Sequence, residues 1–543
     1  MKTCVRPAAR GLRLAARRRI RARALGPRLV SHRWDRTAVL SLLLLLFSCS
    51  AFAGSLPYAP ALARCYDAIL DARFDDAETE IGRACGPAPA EACGLMSATA
   101  LWWRIQMDPF DRSRDANFRS RIDAVIDSIE RWTGREPKRA DAWFFLGAAY
   151  GLRVDFRVLR TESLAAARDG KRIKDALERS LALDPNIQDA YFGIGLYHYY
   201  AAIAPAALRI VRWILFLPGG DRVEGLREMV QARDHGELLR GEADFQLQAI
   251  YLWYEQNVDE ALKLLDGLRA TYPHNPLFLQ SIADVHHVYR HDDASSLDAW
   301  RVLFTLARAR RVSLPEMSEV RARLGMAAEL DALYETDAAI EQLRVVADAN
   351  PSAPYGSAAL AQYRLGAAYD RMGYRDRAVA AYQAALASAP PDDPDNVRTL
   401  ARERIRRRPD ARAAEAYRLS IEGFRYLQRN AMAQAADSLN RSAAINPADP
   451  VTAFRQASLL LKGKRDQDAL AGFERIVAMR PVPPPSVLAS SCVEAGRLLE
   501  ASGHRERAIE MYRRASRVRG ADARTRQAAT KALDRLHVPQ SSR

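Results

Sequence analysis

The sequence predicts an all-α protein built from repeated pairs of antiparallel helices. Ala and Arg are abundant while runs of Val, Ile and Thr are scarce, and this composition favours helix over strand. The most regular pattern lies in residues 362–390, where small and aromatic residues recur at steps of three to five. An Ala and a Pro twelve residues apart also recur along the chain, at 261–273, 339–351, 378–390, 435–447 and 469–481.

Residues 362–390 have the spacing of two short helices joined by a tight turn. Side chains four apart lie on one helix face, so each predicted helix carries one apolar stripe. Gly366 and Ala378 are small where the helices would cross, which lets the two backbones approach. A glycine supplies the turn and a proline ends the second helix. The pattern consists of Leu365, Gly366, Tyr369, Gly373, Ala378, Tyr382, Ala385 and Pro390.

This pattern resembles a tetratricopeptide repeat (TPR), a unit of about 34 residues with a Trp, a Leu-Gly pair, a Tyr, and then Ala, an aromatic, Ala and Pro. Gln362 stands where the family has Trp, and the other positions match. The resemblance implies a TPR-type αα superhelix, or solenoid, in which each helix pair buries its apolar face on its neighbours. It also implies that the first helix of each pair lines the concave face.

Similar units follow one another from about residue 58 onward. We expect eleven helix pairs, with an enlarged loop at 151–160 inside the third. The pairs end at about 86, 137, 185, 235, 273, 312, 351, 390, 447, 481 and 520. The predicted divisions are a leader at 1–53, an N-terminal solenoid at 54–390, a charged linker or helix extension at 391–412, a second TPR lobe at 413–521, and a capping helix and tail at 522–543.

The positive charge is concentrated at the start of the chain. The formal net charge is +15, and residues 1–37 carry +11 of it through twelve Lys and Arg and one Asp. The remaining residues carry about +4, which is a nearly balanced surface. We therefore expect no nucleic-acid partner.

The leader has the order of a secretory signal. The basic segment is followed by the apolar run 38–47 and by Ala51-Phe52-Ala53, so we expect export to a periplasm or cell envelope with cleavage after Ala53. Two alternatives remain open. Residues 46–49 loosely resemble a lipoprotein box in which Cys49 would be lipidated. The leader would otherwise stay uncleaved as an N-terminal anchor.

An apolar insertion at about 201–236 is the largest departure from a plain repeat. It begins AAIAPAALRIVRWILFLPGGD, and the twelve residues between Pro205 and Pro218 are too few to span a bilayer. One interpretation is a long helix packed inside the superhelix. The other is an amphipathic helix that contacts a membrane or lines a ligand groove.

Aromatic residues crowd the helix before this insertion. Tyr197 and Tyr200 are three apart and share a face, so they are the expected exposed pair, although packing between repeats is the alternative. The candidate partner-binding residues are Tyr197, Tyr200, Arg209, Arg212, Trp213 and Phe216.

Cys85 and Cys93 enclose a short loop with two prolines. In an oxidising compartment these two would form a disulfide, and Cys65 with Cys85 is the competing pair.

No catalytic, cofactor or metal site is predicted. The sequence has no nucleophile with its local signature, no Gly-rich nucleotide loop and no Cys-pair zinc spacing. His287 and His291 are four apart and could share a metal, but they lack an HExxH arrangement, so we predict none there.

We therefore expect a non-catalytic exported scaffold that binds a protein or peptide on the concave face. The alternative is a membrane-associated envelope protein whose apolar segment 201–217 contacts lipid or a lipid-like ligand.

Overall fold

The computed structural model describes residues 56, 58–203 and 219–536. It divides into two units, 1–53 and 54–543, and all described residues belong to the second. Regular secondary structure in the described residues is entirely α-helical, in 24 helices. The predicted all-α TPR-type solenoid is therefore confirmed.

The first eight helix pairs are consecutive. They comprise α1 Ala59–Leu70, α2 Phe74–Ala84, α3 Ala90–Met107, α4 Asp115–Arg135, α5 Ala140–Leu159, α6 Ser163–Leu183, α7 Ala190–Ile203, α8 Arg222–His235, α9 Arg240–Trp253, α10 Val258–Thr271, α11 Pro276–Val288, α12 Asp293–Arg308, α13 Pro315–Ala332, α14 Thr336–Ala349, α15 Ser357–Arg371 and α16 Arg375–Ser388.

A single helix, α17 Val397–Arg406, separates these pairs from three more. It lies in the charged stretch 391–412 and packs on α15 and α16, with Val397 and Ala401 buried. The remaining helices are α18 Ala411–Gln428, α19 Met432–Ile445, α20 Pro450–Lys462, α21 Asp466–Ala478, α22 Pro485–Ala501, α23 Arg505–Arg517 and α24 Ala523–Arg535.

The close helix crossing expected in the eighth pair is present. A Cβ added to Gly366 would lie 2.6 Å from Cε1 of Tyr382, so no larger residue fits there without movement. Gly373 makes the turn with φ 81°, a conformation that only glycine adopts easily. Ala378, Tyr382 and Ala385 are buried on α16, as the spacing predicts.

The expected loop at 151–160 is wrong, because α5 continues through Leu159. Leu152 and Phe156 remain on the buried stripe of the helix. Arg153 and Arg157, one turn apart, both donate to the buried carboxylate of Asp169 on α6. These contacts stabilise a helix at positions where the repeat pattern alone suggested an irregular loop.

Hydrogen bonds also join residues more than 200 positions apart. Asp71 Oδ1 accepts from the His274 backbone N–H at 2.9 Å, 203 residues away. Tyr355 N–H donates to Asp108 in the same way at 2.8 Å, 247 residues away. Each of these carboxylates directly follows a first helix.

The same kind of connection recurs in the sixth helix pair. We number the helix pairs in chain order and call this pair unit six. Ala523 N–H donates to Asp292 Oδ2 at 2.6 Å, and the two residues are 231 positions apart. Asp292 lies between α11 and α12. At the edge where first helices end, later parts of the chain therefore contact units one, two and six, although Phe110, Val288 and Tyr289 are exposed there.

Candidate functional site

The corresponding edge of units three to five carries exposed apolar side chains. We call this set the aromatic edge. Among the described residues, no hydrogen bond or ion pair joins its members to a later unit. The aromatic edge comprises Val158, Leu164, Tyr200, Val223, Trp253 and Tyr254.

Three tyrosines from neighbouring first helices form its centre. The ring centroids of Tyr199, Tyr200 and Tyr254 lie 5.7 to 6.1 Å apart, and the rings meet edge to face. Tyr199 is buried, whereas Tyr200 is 38% exposed and Tyr254 is 46% exposed. Trp253 beside them is 60% exposed, so the cluster offers aromatic surface to a partner.

Hydrogen bonds hold the buried tyrosine of the cluster in position. The Tyr199 hydroxyl donates to Glu255 Oε1 at 2.5 Å, and Arg222 Nε donates to the same oxygen at 2.8 Å. The hydrogen bond from Arg222 lowers the pKa of Glu255, so this carboxylate stays ionised. Arg222 begins α8 and Glu255 follows α9, so these contacts join α7, α8 and α9.

A carboxyl group beside Tyr200 has a strongly shifted pKa. Burial and, to a smaller extent, the charge of Glu242 raise the pKa of Asp155 on α5 to about 8. Burial also raises the pKa of Tyr200, with the charges of Tyr254 and Asp155 adding to it. A protonated amine or a guanidinium placed beside Asp155 would favour its ionised form.

Glu242 is held by neutral donors. The Tyr66 hydroxyl donates to Glu242 Oε2 at 2.9 Å, and Gln246 Nε2 donates to Oε1 at 3.1 Å. Burial raises the pKa of Glu242, although both hydrogen bonds oppose that shift. Two carboxyl groups with raised pKa values therefore lie close together on the first helices α5 and α9.

The predicted binding residues have different positions. Tyr200 lies in the tyrosine cluster, whereas Tyr197 is partly buried on α7 with its ring 6.1 Å from that of His198. The other four candidates lie outside the described residues, namely Arg209, Arg212, Trp213 and Phe216.

The sequence interpretation missed Asp155, Trp253 and Tyr254. A usable signal was present, because the first helices of units three to five all end in apolar residues.

The cysteines of the first two units are paired in the structure. The sulfur atoms of Cys85 and Cys93 are 2.26 Å apart, with Cα atoms separated by 5.8 Å. Cys65 and Cys492 are buried and free, so the competing Cys65–Cys85 pair is not formed. The oxidation state of the protein in solution stays a prediction that peptide mapping tests.

Among the helices of the described part of the chain, none has both the length and the apolar content needed to cross a membrane.

One segment matches a known family. Residues 359–392 match the family described as "Tetratricopeptide repeat", and this segment contains most of α15, all of α16 and the turn between them. No curated protein matches the chain.

Solved structures with the same type of helical repeat are similar to the chain at low identity. A tetratricopeptide repeat protein from Parabacteroides merdae ATCC 43184 is 15% identical over 53% of this chain and 98% of its own, with a TM-score of 0.23. Rap protein, solved in complex with competence and sporulation factor, is 13% identical over 88% and 99%, with a TM-score of 0.29. The TPR domain of P58(IPK) is 13% identical over 82% and 98%, with a TM-score of 0.21. Residues 359–392 are thus a tetratricopeptide repeat, set within an all-α TPR-type solenoid of helix pairs.

Proposed function

We propose that the chain is a non-catalytic scaffold that holds a protein or peptide partner at the aromatic edge. One observation carries this proposal. At the edge where first helices end, units one, two and six are hydrogen-bonded to later residues of the chain, although Phe110, Val288 and Tyr289 are exposed there. Units three to five together expose six apolar side chains, and among the described residues none of the six is hydrogen-bonded to a later unit. Exposed aromatic side chains next to a fixed polar network are typical of protein interfaces.

The chemistry of the edge restricts the partner. An apolar side chain would pack on Tyr200, Trp253 and Tyr254, and a neighbouring Lys or Arg would meet Asp155. We therefore propose a protein segment with an apolar anchor flanked by a basic residue. Nothing in this arrangement suits the phosphate backbone of a nucleic acid.

We propose the aromatic edge as the contact surface in place of part of the concave face. The rings of Trp103 on α3 and Phe245 on α9 lie 5.1 Å apart, and Tyr66 on α1 donates to Glu242 on α9. First helices of units one, two and five thus pack on one another, and less of their surface is left for a partner.

Photo-crosslinking tests the proposal. A photoreactive residue at position 253 should capture a defined partner in the native source cells, and the linked peptide should carry apolar and basic residues. The matched control places the same residue at Val345, which is exposed on the second helix α14. Identical products from both positions, or none from position 253, would remove the aromatic edge as the binding site.

We also propose that the chain is exported to a periplasm or cell envelope. The basic and apolar leader supports this, as does the Cys85–Cys93 pair, because disulfides persist in oxidising compartments. N-terminal sequencing should find Gly54 first. A lipid on Cys49 or an intact leader would instead indicate envelope anchoring, and a soluble cytosolic chain beginning at Met1 would refute export.

Lipid contact by residues 201–217 remains the second candidate, motivated by the apolar composition of the segment. Liposome flotation separates the two functions. Binding that is lost on Trp213→Asp and Phe216→Asp would favour lipid contact, and absence of binding would eliminate it.

A further inference from the structure

Three potential metal ligands converge where units six and seven meet. His287 lies on α11, Asp293 begins α12 and Glu329 lies on α13, and their ligand atoms are all within 4.8 Å of one another. His287 Nδ1 is 3.0 Å from Asp293 Oδ1 and 3.1 Å from Glu329 Oε2. Ligands of tetrahedral zinc with bonds of about 2.1 Å are about 3.4 Å apart, so the distances from His287 to the two carboxylates each need to lengthen by only a few tenths of an ångström.

The local charge is unbalanced without a cation. Glu329 is buried, and in the described part of the chain no Lys or Arg lies within ion-pair distance of Glu329 or Asp293. Arg364 attracts Glu329 by its charge but forms no ion pair with it. Its guanidinium donates instead to the Leu324 carbonyl at 3.0 Å. A protonated His287 would offset one of the two carboxylates, whereas a divalent ion would offset both.

Supporting contacts orient the ligands. The fully buried Ser296 hydroxyl donates to Glu329 Oε1 at 2.9 Å, so Oε2 is the oxygen directed at His287. Asp292 caps α12 by accepting from the Ser295 N–H at 3.0 Å, which fixes the helix turn that carries Asp293. Partners of this kind hold ligands in place at metal sites.

A cavity gives access to the cluster. It has a volume of about 490 Å³, and its lining includes His287, Asp293, His291 and Asp522. An ion could therefore enter from solvent and complete its coordination with water. His291 is a further nitrogen donor in the same cavity.

We infer that His287, Asp293 and Glu329 bind a divalent transition-metal cation, and Zn²⁺ is the ion to which we commit. One imidazole nitrogen and two carboxylate oxygens suit zinc, whereas Mg²⁺ and Ca²⁺ prefer oxygen ligands alone. This site is independent of the aromatic edge and of the proposed scaffold function.

Zinc binding by the full, untagged chain tests the inference. After dialysis against Zn²⁺, elemental analysis should find one ion per chain, and competition with a chromogenic chelator should give its affinity. His287→Gln and Glu329→Gln should each weaken binding by more than about 100-fold, and Ser296→Ala by about 10–100-fold. His286→Gln is the matched control, because His286 is adjacent on α11 but outside the cluster, and it should bind like the wild type.

Several results would overturn the inference. These are no stoichiometric zinc in the wild type, unchanged affinity in Glu329→Gln, an equal loss in His286→Gln, or equal competition by Mg²⁺. If a variant with a substituted zinc ligand does not fold, X-ray absorption spectroscopy of the zinc-loaded wild type tests the ligand set instead. One imidazole with oxygen ligands would support the site, and sulfur ligation would refute it.

Discussion

Asp155→Asn should stabilise the protein at neutral and higher pH and remove part of its pH dependence. The unfolded chain ionises Asp near pH 3.9, whereas the pKa of Asp155 in the folded chain is about 8 because of burial and the nearby Glu242. The folded state therefore holds the proton more tightly. The stabilisation is fully present below about pH 4 and is lost as the pH rises through about 8.

The magnitude follows from proton linkage. Between these limits the free energy of unfolding falls by up to about 1.4 kcal/mol per pH unit, or up to about 2.7 kcal/mol from pH 5.5 to 7.5. An Asn resembles the protonated carboxyl in shape and cannot ionise. The variant should thus exceed the wild type by about 1–3 kcal/mol at pH 7.5 and differ little at pH 4.

Urea unfolding followed by circular dichroism at pH 4, 5.5, 6.5 and 7.5 measures this effect. Asp169→Asn is the matched control on the next helix, because the Asp169 carboxylate is buried and accepts from Arg153, Arg157 and Arg172. It should destabilise the protein by about 3–5 kcal/mol at pH 7.5. The reasoning fails if Asp155→Asn gives no gain at pH 7.5 or keeps the wild-type pH slope.

Three further changes test the packing. Asp189→Ala should cost about 3 kcal/mol in chemical denaturation, because the buried carboxylate accepts from three consecutive backbone N–H groups just before α9, and an unchanged midpoint would contradict that role. Gly366→Ala should cost about 1–3 kcal/mol, since its Cβ would meet the Tyr382 ring, and Gly151→Ala, whose Cβ would meet nothing within 4 Å, serves as the control. Replacing Cys85 and Cys93 together by Ser should cost about 2–3 kcal/mol, and peptide mapping that finds both thiols free in the wild type would refute the pair.

The repeat architecture could be predicted because its signals are local. Spacings such as Ala378 to Pro390 record which side chains pack within a helix pair, and eleven such pairs are present. The wrong loop at 151–160 shows the limit of that pattern. Its helix is held by Asp169 of the following helix, a contact that periodicity does not encode.

The candidate site could be predicted only in part. Tyr200 was found from its aromatic neighbours, but its exposure depends on which edges later units cover. Contact between a later unit and an edge is made by hydrogen-bonded pairs such as Asp71 and His274, which are 203 residues apart and which local spacing does not reveal. The convergence of His287 with Glu329 likewise joins two units, so the spacing of His287 and His291, at which we predicted no metal site, contains no information about the carboxylate of Glu329.

Partner affinity at the aromatic edge tests the central claim most directly. With the crosslinked partner segment as ligand, Tyr200→Ala combined with Tyr254→Ala should weaken binding by at least about 30-fold, as expected for anchor residues worth about 2 kcal/mol. Val302→Ala combined with Val345→Ala removes exposed apolar groups from second helices and should change the affinity less than about twofold. Equal affinity of the edge variant and the wild type, with unchanged melting, would contradict the assignment.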